Sequence, residues 1–494
     1  MRLLPAALIV AAQFVAAVTV PAGPAAAFCG FFVSGADANL YNNASQVVLM
    51  RKDNRTVMTL SNTYQGPPQD FAMVVPVPVV LQEADVKTLP ADVFQHIDQL
   101  SAPRLVEYWE QDPCFVPPPV YPAAPMMAMA GGAPKRAQKS SDSDLGVTIE
   151  AKFAVGEYQI LILSAKQATG LETWLKENKY RIPAGASAAL APYIASGMKF
   201  FVAKVDISKV RRDAHGAVAL SPLRFSYESN ELRVPVRLGL LNAQGKQDLI
   251  IYVLHPESRF ESSNYKNVFV PTNLEVVNEV RNGFGAFYAQ LFDETLAANQ
   301  NKAIVTEYAW QTTSCDPCPV PPLQASDLYT LGADVLLEGQ PESSGARSGQ
   351  RNRARPQGRG GFFGGFSSWV LTRLHTRYDQ TTLSEDISLV QAGPVVGGRA
   401  QFDGTATEGP GEVRPDSTNN FQGRYIIRHY WEGAVACEHP VYNRWGGPPD
   451  GGNPLQMATD LANASRGAVT LKAAVRSNLP QLGLPGIAPP RRGQ

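Results

Sequence analysis

The chain has 494 residues, with 44 Lys+Arg against 44 Asp+Glu, and 44% of its residues are hydrophobic. That apolar content supplies a sizeable core and excludes a disordered chain, and the length corresponds to roughly two to four domains of ~100–200 residues. A formal net charge of zero argues against a protein built around nucleic acid or an anionic membrane surface.

Residues 1–27 read as a signal peptide. Arg2 is a minimal positive region, an apolar stretch follows, and Pro21, Gly23 and Pro24 break any helix before Ala25-Ala26-Ala27, a small-x-small cleavage pattern. The stretch is too short and broken for a membrane span of ~20 apolar residues. Phe28 stands where a lipoprotein signal needs a small residue, which argues against lipid attachment at Cys29. The mature chain, from Phe28, is expected to be exported, periplasmic or extracellular, with no stable membrane span after cleavage.

Residues 28–116 form an N-terminal β-rich block. The apolar runs 46–50 and 56–60, separated by Lys52-Asp53-Asn54, predict a hairpin. Pro76 and Pro78 place the run 71–80 at a sheet edge or take it out of the sheet. Residues 89–110 read as two helical pieces, started by Pro90 and Pro103. Residues 117–144 are a linker or insertion rich in Pro, Met and Ser; Met126, Met127 and Met129 are too few for a copper tract without histidine.

Residues 145–338 form a central α+β region. It has a strand pair over 148–155 and 158–163 turned at Gly156-Glu157, helices over 166–178 and 187–195, and strands over 199–207, 232–241 and 249–254. Phe284, Phe287, Tyr288, Leu291 and Phe292 recur at helical spacing and predict an amphipathic core helix over 284–297. Residues 339–366 are an Arg/Gly-rich insertion expected to be disordered, carrying Arg347, Arg351, Arg353, Arg355 and Arg359. Residues 367–445 form a C-terminal β region with strands near 369–375 and 423–430. Residues 446–494 are a Gly/Pro-rich tail with one helix expected over 455–464. The fold class is therefore α+β: mixed and antiparallel sheets, flanking helices and two low-complexity insertions.

Cys29, Cys114, Cys315, Cys318 and Cys437 are all disulfide candidates in an exported chain. Cys29 and Cys114 bracket the N-terminal block and are the expected pair. Several phrases carry a wider likeness: Cys29-Gly30-Phe31-Phe32, Phe71-Ala72-Met73-Val74-Val75-Pro76-Val77-Pro78, Ala102-Pro103-Arg104-Leu105-Val106-Glu107-Tyr108, Leu171-Glu172-Thr173-Trp174-Leu175, Gly197-Met198-Lys199-Phe200-Phe201-Val202-Ala203-Lys204-Val205, Glu307-Tyr308-Ala309-Trp310, Cys315-Asp316-Pro317-Cys318 and Phe421-Gln422-Gly423-Arg424-Tyr425. Together they resemble the bacterial domain-of-unknown-function 2330 family of exported proteins, from about Cys29 to Cys437. Running through both low-complexity segments, the resemblance implies insertions within one extended unit. It implies no activity and no cofactor.

Cys315-Asp316-Pro317-Cys318 is the sharpest local motif, since a C-x-x-C pair exchanges disulfides when one thiol is acidified. Pro319, Pro321 and Pro322 prevent a helix from starting on the second cysteine, and Asp316 disfavours a thiolate, so a structural bridge is the better expectation. His429, Cys437 and His439, with His375, are weak metal candidates at no recognised zinc spacing. Glu107 and Glu110 would share a helix face. Nucleophile elbow, metalloprotease helix, phosphate loop and dinucleotide fingerprint are missing from the sequence, so no residue is assigned a catalytic role. The expected function is a non-catalytic binding or structural component of the cell envelope, without cofactor, that binds a protein or envelope polymer and not nucleic acid. The rivals are a thiol-disulfide oxidoreductase using Cys315 and Cys318, and a polymer-directed hydrolase.

Overall fold

The structure is a computed structural model and describes residues 31–34, 41–65, 71–115, 147–337 (apart from 179, 181, 184, 213–217 and 243–244), 368–398, 412–459 (apart from 453–454) and 464–486. The leader, the Met tract and the Arg/Gly-rich insertion lie outside the described residues, as does Cys29.

The hairpin of Tyr41–Lys52 and Arg55–Gln65 turns at Asp53-Asn54, with Asp53 in the left-handed conformation that Asp tolerates. Its side chains alternate between two cores. Val47 and Leu49 enter one, Val48 and Met50 the other. With both faces covered, the strand reads as a continuous apolar run rather than an in/out alternation.

This hairpin belongs to an eleven-stranded mixed sheet. Its centre is Gln247–His255, antiparallel to Val370–Tyr378 on one side and parallel to Tyr41–Lys52 on the other. Ala303–Gln311 lies outside Val370–Tyr378, and Leu223–Glu228 outside Arg55–Gln65. A second, five-stranded antiparallel sheet has the order Phe31–Ser34, Phe71–Val77, Lys199–Val205, Tyr158–Ala165, Val147–Val155. Phe31–Ser34 covers only residues 71–74 of its neighbour, so Pro76 withholds a donor where no strand pairs on that side.

The alternation stacks the sheets. Met73, Val75, Ile160, Phe201 and Ala203 meet Leu249, Ile251 and Leu374 in the core between them. The opposite face of the five-stranded sheet, with Ala72, Val74, Phe200 and Val202, lies under helices Ala168–Glu177 and Ala186–Ala195. The far face of the large sheet lies under helix Asp92–Ser101, the short helices Ala325–Leu328 and Asp334–Leu336, and helix Phe284–Ala297. The architecture is helices, sheet, sheet, helices. A smaller sheet, built on Arg104–Glu110 and Arg424–His429, packs beside helix Phe284–Ala297.

Several expectations are corrected. After Pro103 the chain is the strand Arg104–Glu110, because its backbone finds partners in Arg424–His429 and Leu455–Met457. Glu107 and Glu110, three apart on a strand, therefore take opposite faces instead of one helix face. The run 232–241 is strand only over Leu232–Val234; Pro235 has no donor to continue it, and a 3₁₀ turn follows at Gly239–Asn242. Where a helix was expected over 455–464, its start is the strand Leu455–Met457, and 460–463 lie outside the described residues. Leu471, Val475, Leu479 and Leu484 are buried in the core around helix Phe284–Ala297, so much of the Gly/Pro-rich tail is built into the fold.

A chain of charges crosses the far face of the large sheet. A β-bulge between Thr306 and Tyr308 marks Glu307. Its carboxylate receives Arg373 Nε at 2.6 Å, His375 Nδ1 at 2.7 Å and the Tyr288 hydroxyl. Arg373 also donates to Asp98 Oδ1 on helix Asp92–Ser101, which accepts the Tyr252 hydroxyl at 2.7 Å. His375 Nε2 continues to Asp248 at 3.1 Å, and Arg466 joins Asp248 to Asp293 on helix Phe284–Ala297. The Phe292 ring stacks on His375 at 3.9 Å. Arg373, Glu307 and His375 are essentially inaccessible to solvent.

Burial alone raises the Glu307 pKa, but His375 and Arg373 outweigh it and hold the group down at about 2. Burial lowers His375, and Glu307 with Asp248 outweighs that, so its pKa lies above the ordinary 6.5. Glu307 contributes stability in full above its ordinary 4.5, and that contribution is lost as pH falls toward 2. His375 contributes in full below 6.5, and its share is lost as pH rises through its folded-state pKa. Urea unfolding should therefore show greatest stability from these groups between about pH 4.5 and 6.5. Glu307→Gln should cost about 3–5 kcal/mol at pH 6, because Arg373 would stay buried with half its compensation gone. A loss below 1 kcal/mol would refute the stabilising role.

Candidate functional site

Arg104–Glu110 and Arg424–His429 pair in parallel and deliver their C-terminal ends to the same side of the small sheet. The register sets Leu105 beside Tyr425, Glu107 beside Ile427 and Trp109 beside His429. The first of these rows is sealed in the core around helix Phe284–Ala297. The last emerges at the end of the sheet, where Trp109 and His429 stack with ring centres 4.4 Å apart. Glu107 lies below them, accepting Arg281 Nε at 2.8 Å and facing His429 Nε2 at 2.8 Å. Its burial raises its pKa, but the hydrogen bonds from Arg281 and His429 prevail and keep it below the ordinary 4.5.

Past this end the two chains continue as loops that enclose a half-open cleft of about 1250 Å³. Its walls are aromatic: Trp109, Phe115, Tyr430, Trp431 and Tyr442. Phe115 is 53% exposed and Tyr442 36%, with Val435 also open to solvent beside them. Large apolar groups left in water around one cavity mark an interaction site more reliably than scattered ones do.

The loops are braced. Glu110 accepts the backbone N–H of Asn443 at 2.7 Å and that of Trp431 at 3.1 Å. Val441 N–H donates to the Pro113 carbonyl and Gln111 N–H to that of Arg444. Gly433 is held by packing: a Cβ there would lie 2.5 Å from the Trp431 ring, so only glycine lets the loop fold onto the indole. Cys114 and Cys437 close the arrangement as a disulfide, with Cα atoms 5.5 Å apart. The expected Cys29–Cys114 pair is thus replaced by Cys114–Cys437, since the parallel strands bring both cysteines out at one end.

Cys315 and Cys318 bond to each other. The turn between them is fastened from below: buried Arg104 donates to the Pro317 carbonyl at 2.7 Å, and Gln422 to that of Asp316. Cys318 is nevertheless exposed.

The metal candidates do not converge. His375 is spent between Glu307 and Asp248, His429 faces Glu107, Cys437 is oxidised, and exposed His439 lies in a loop. Among the described residues no group of three His, Cys, Asp or Glu side chains is placed to hold a metal ion. Sequence reasoning missed the aromatic wall. Its signal was the aromatic pairs Tyr108-Trp109, in a run read as helix, and Tyr430-Trp431, at the end of a run read as strand.

Fold and site define an α+β protein with two disulfides and a braced aromatic cleft. The chain belongs to a bacterial family described as an uncharacterised protein conserved in bacteria (DUF2330), which matches residues 23–390. That span includes Asp98, Asp248, Glu307, Arg373 and His375 and the cleft wall on Trp109–Phe115; it stops short of Phe421–Tyr425 and of the opposite wall. Comparisons with curated proteins and with solved structures give no match.

If the disulfide braces the cleft rather than the whole fold, Cys114→Ser with Cys437→Ser should raise amide exchange in residues 430–442 at least tenfold. The large sheet should keep its protection, and the overall cost should be about 2–5 kcal/mol. Unchanged exchange in that loop would show that Glu110 and the backbone bonds suffice.

Proposed function

We propose that this protein is an exported, non-catalytic binding component of the bacterial cell envelope that captures an extended polymer or partner in the aromatic cleft. The observation that carries the reading is a cluster of rings around one cleft, Phe115 and Tyr442 exposed and Trp109, Tyr430 and Trp431 half-buried, on segments braced by a disulfide and a buried carboxylate. Such preorganisation lowers the entropy cost of binding. Export is supported by the leader pattern of residues 1–27 and by two disulfides. Against a hydrolase built on Glu107 and Glu110, two of the many carboxylates the sequence offers, both are occupied in holding structure.

The test is co-sedimentation with an insoluble envelope fraction from a bacterium that makes the protein. Wild-type protein should pellet, and Trp109→Ala with Tyr442→Ala should stay in the supernatant with its melting temperature within ~3 °C of wild type. Wild-type protein remaining soluble at all concentrations would count against the reading.

The exposed position of Cys318 favours thiol-disulfide exchange as the second reading. Mild reductant followed by alkylation at neutral pH separates the two. A structural staple should stay bridged, whereas a redox centre should open and alkylate rapidly at one cysteine.

A further inference from the structure

We infer that the cleft's ligand is an uncharged oligosaccharide several sugar units long, an inference that rests on the binding reading above. A pyranose ring offers an apolar face of C–H groups edged by hydroxyls. It therefore needs flat apolar platforms with hydrogen-bonding groups beside them. Trp109, Tyr430, Trp431 and Tyr442 supply the platforms, and Gln111, Asn278 and Glu432 line the same cavity.

The charges favour a neutral ligand. The lining mixes acidic Glu110, Asp112 and Glu432 with basic Arg428 and Arg476 and with His429, so neither sign dominates. Arg428 is already paired with Glu275, and one Asp112 oxygen accepts the Cys114 N–H. A polyanion or polycation would meet repulsion along with attraction.

The indole N–H of Trp431 is buried and has no acceptor among the described residues. An unsatisfied buried donor carries a desolvation cost, which a sugar hydroxyl would remove once the Gly433 turn beside it gives way. Size sets the length of the ligand: about 1250 Å³ exceeds the ~300–1,000 Å³ of ordinary small-molecule pockets, and the cavity is open along one side. The loops need little ordering on binding, because the Cys114–Cys437 bridge and Glu110 already hold them.

The experiment is a titration of the full chain followed by tryptophan fluorescence and calorimetry. The probes are cellohexaose and chitohexaose as neutral glycans, polygalacturonate as an acidic one, and a polyproline decapeptide as an extended apolar peptide. A neutral hexasaccharide should bind. Trp431→Ala should weaken it at least tenfold, and Trp431→Phe, which keeps a ring but removes the N–H, about fivefold. Trp431→Phe also loses the indole atoms that pack on Gly433, so its melting temperature, expected within ~3 °C of wild type, is the guard against simple misfolding. Binding of the peptide or polygalacturonate with no response to either neutral glycan overturns the ligand class and leaves the binding reading standing. A neutral glycan that binds wild type and Trp431→Phe equally well overturns the role of the indole N–H. Silence toward every probe, from protein that still co-sediments with envelope material, rejects the neutral glycan alone. Silence together with failure to co-sediment rejects both.

Discussion

Arg373 sits in the interior with its guanidinium shared between Glu307 and Asp98. A cation sealed from water survives only if its compensating groups are all in place. That requirement couples distant parts of the chain. Asp98 comes from the N-terminal helix, Tyr252 from the central strand and Glu307 from a bulge two strands away. Through His375 and Asp248 the series reaches Arg466, far along in the C-terminal segment. Shifting any of these strands by one residue would turn its charged member to the wrong face and strand the others. Apolar contacts hold the layers together; the ionic series selects one registration among the many that apolar residues alone would permit.

The same network explains which parts of the fold could be read from residues in order. Local periodicity was enough for the hairpin at Asp53-Asn54, the strand pair turned at Gly156-Glu157 and helix Phe284–Ala297. Each of these is decided by neighbours in sequence. The alternating segment from Trp369 to His375 was legible as a strand, yet its alternation usually means one wet face. Here Arg373 and His375 point into a charged interior instead, because helices Asp92–Ser101 and Phe284–Ala297 cover that side. Composition cannot tell a solvated charge from a buried, paired one.

The misreadings share a cause. Arg104–Glu110 follows a proline that suits a helix start, but its partners for strand pairing lie over three hundred positions later. The cleft inherits this illegibility. Trp109 and His429 are ordinary residues in their own segments and become a stacked pair only when two remote strands align in parallel. Gly433 is similar: its necessity depends on where the Trp431 indole falls.

The two disulfides differ in span, 3 residues against 323. In an oxidising compartment, Cys315 and Cys318 can close as soon as both emerge, while Cys114 must wait for a partner near the end of synthesis. Early closure of the short loop removes two competing thiols from the field before Cys437 arrives, so the local bridge acts as a guard against scrambled pairing. The aromatic cleft then gains its brace only after Cys437 has been made, so a chain cut before that residue lacks the bridge.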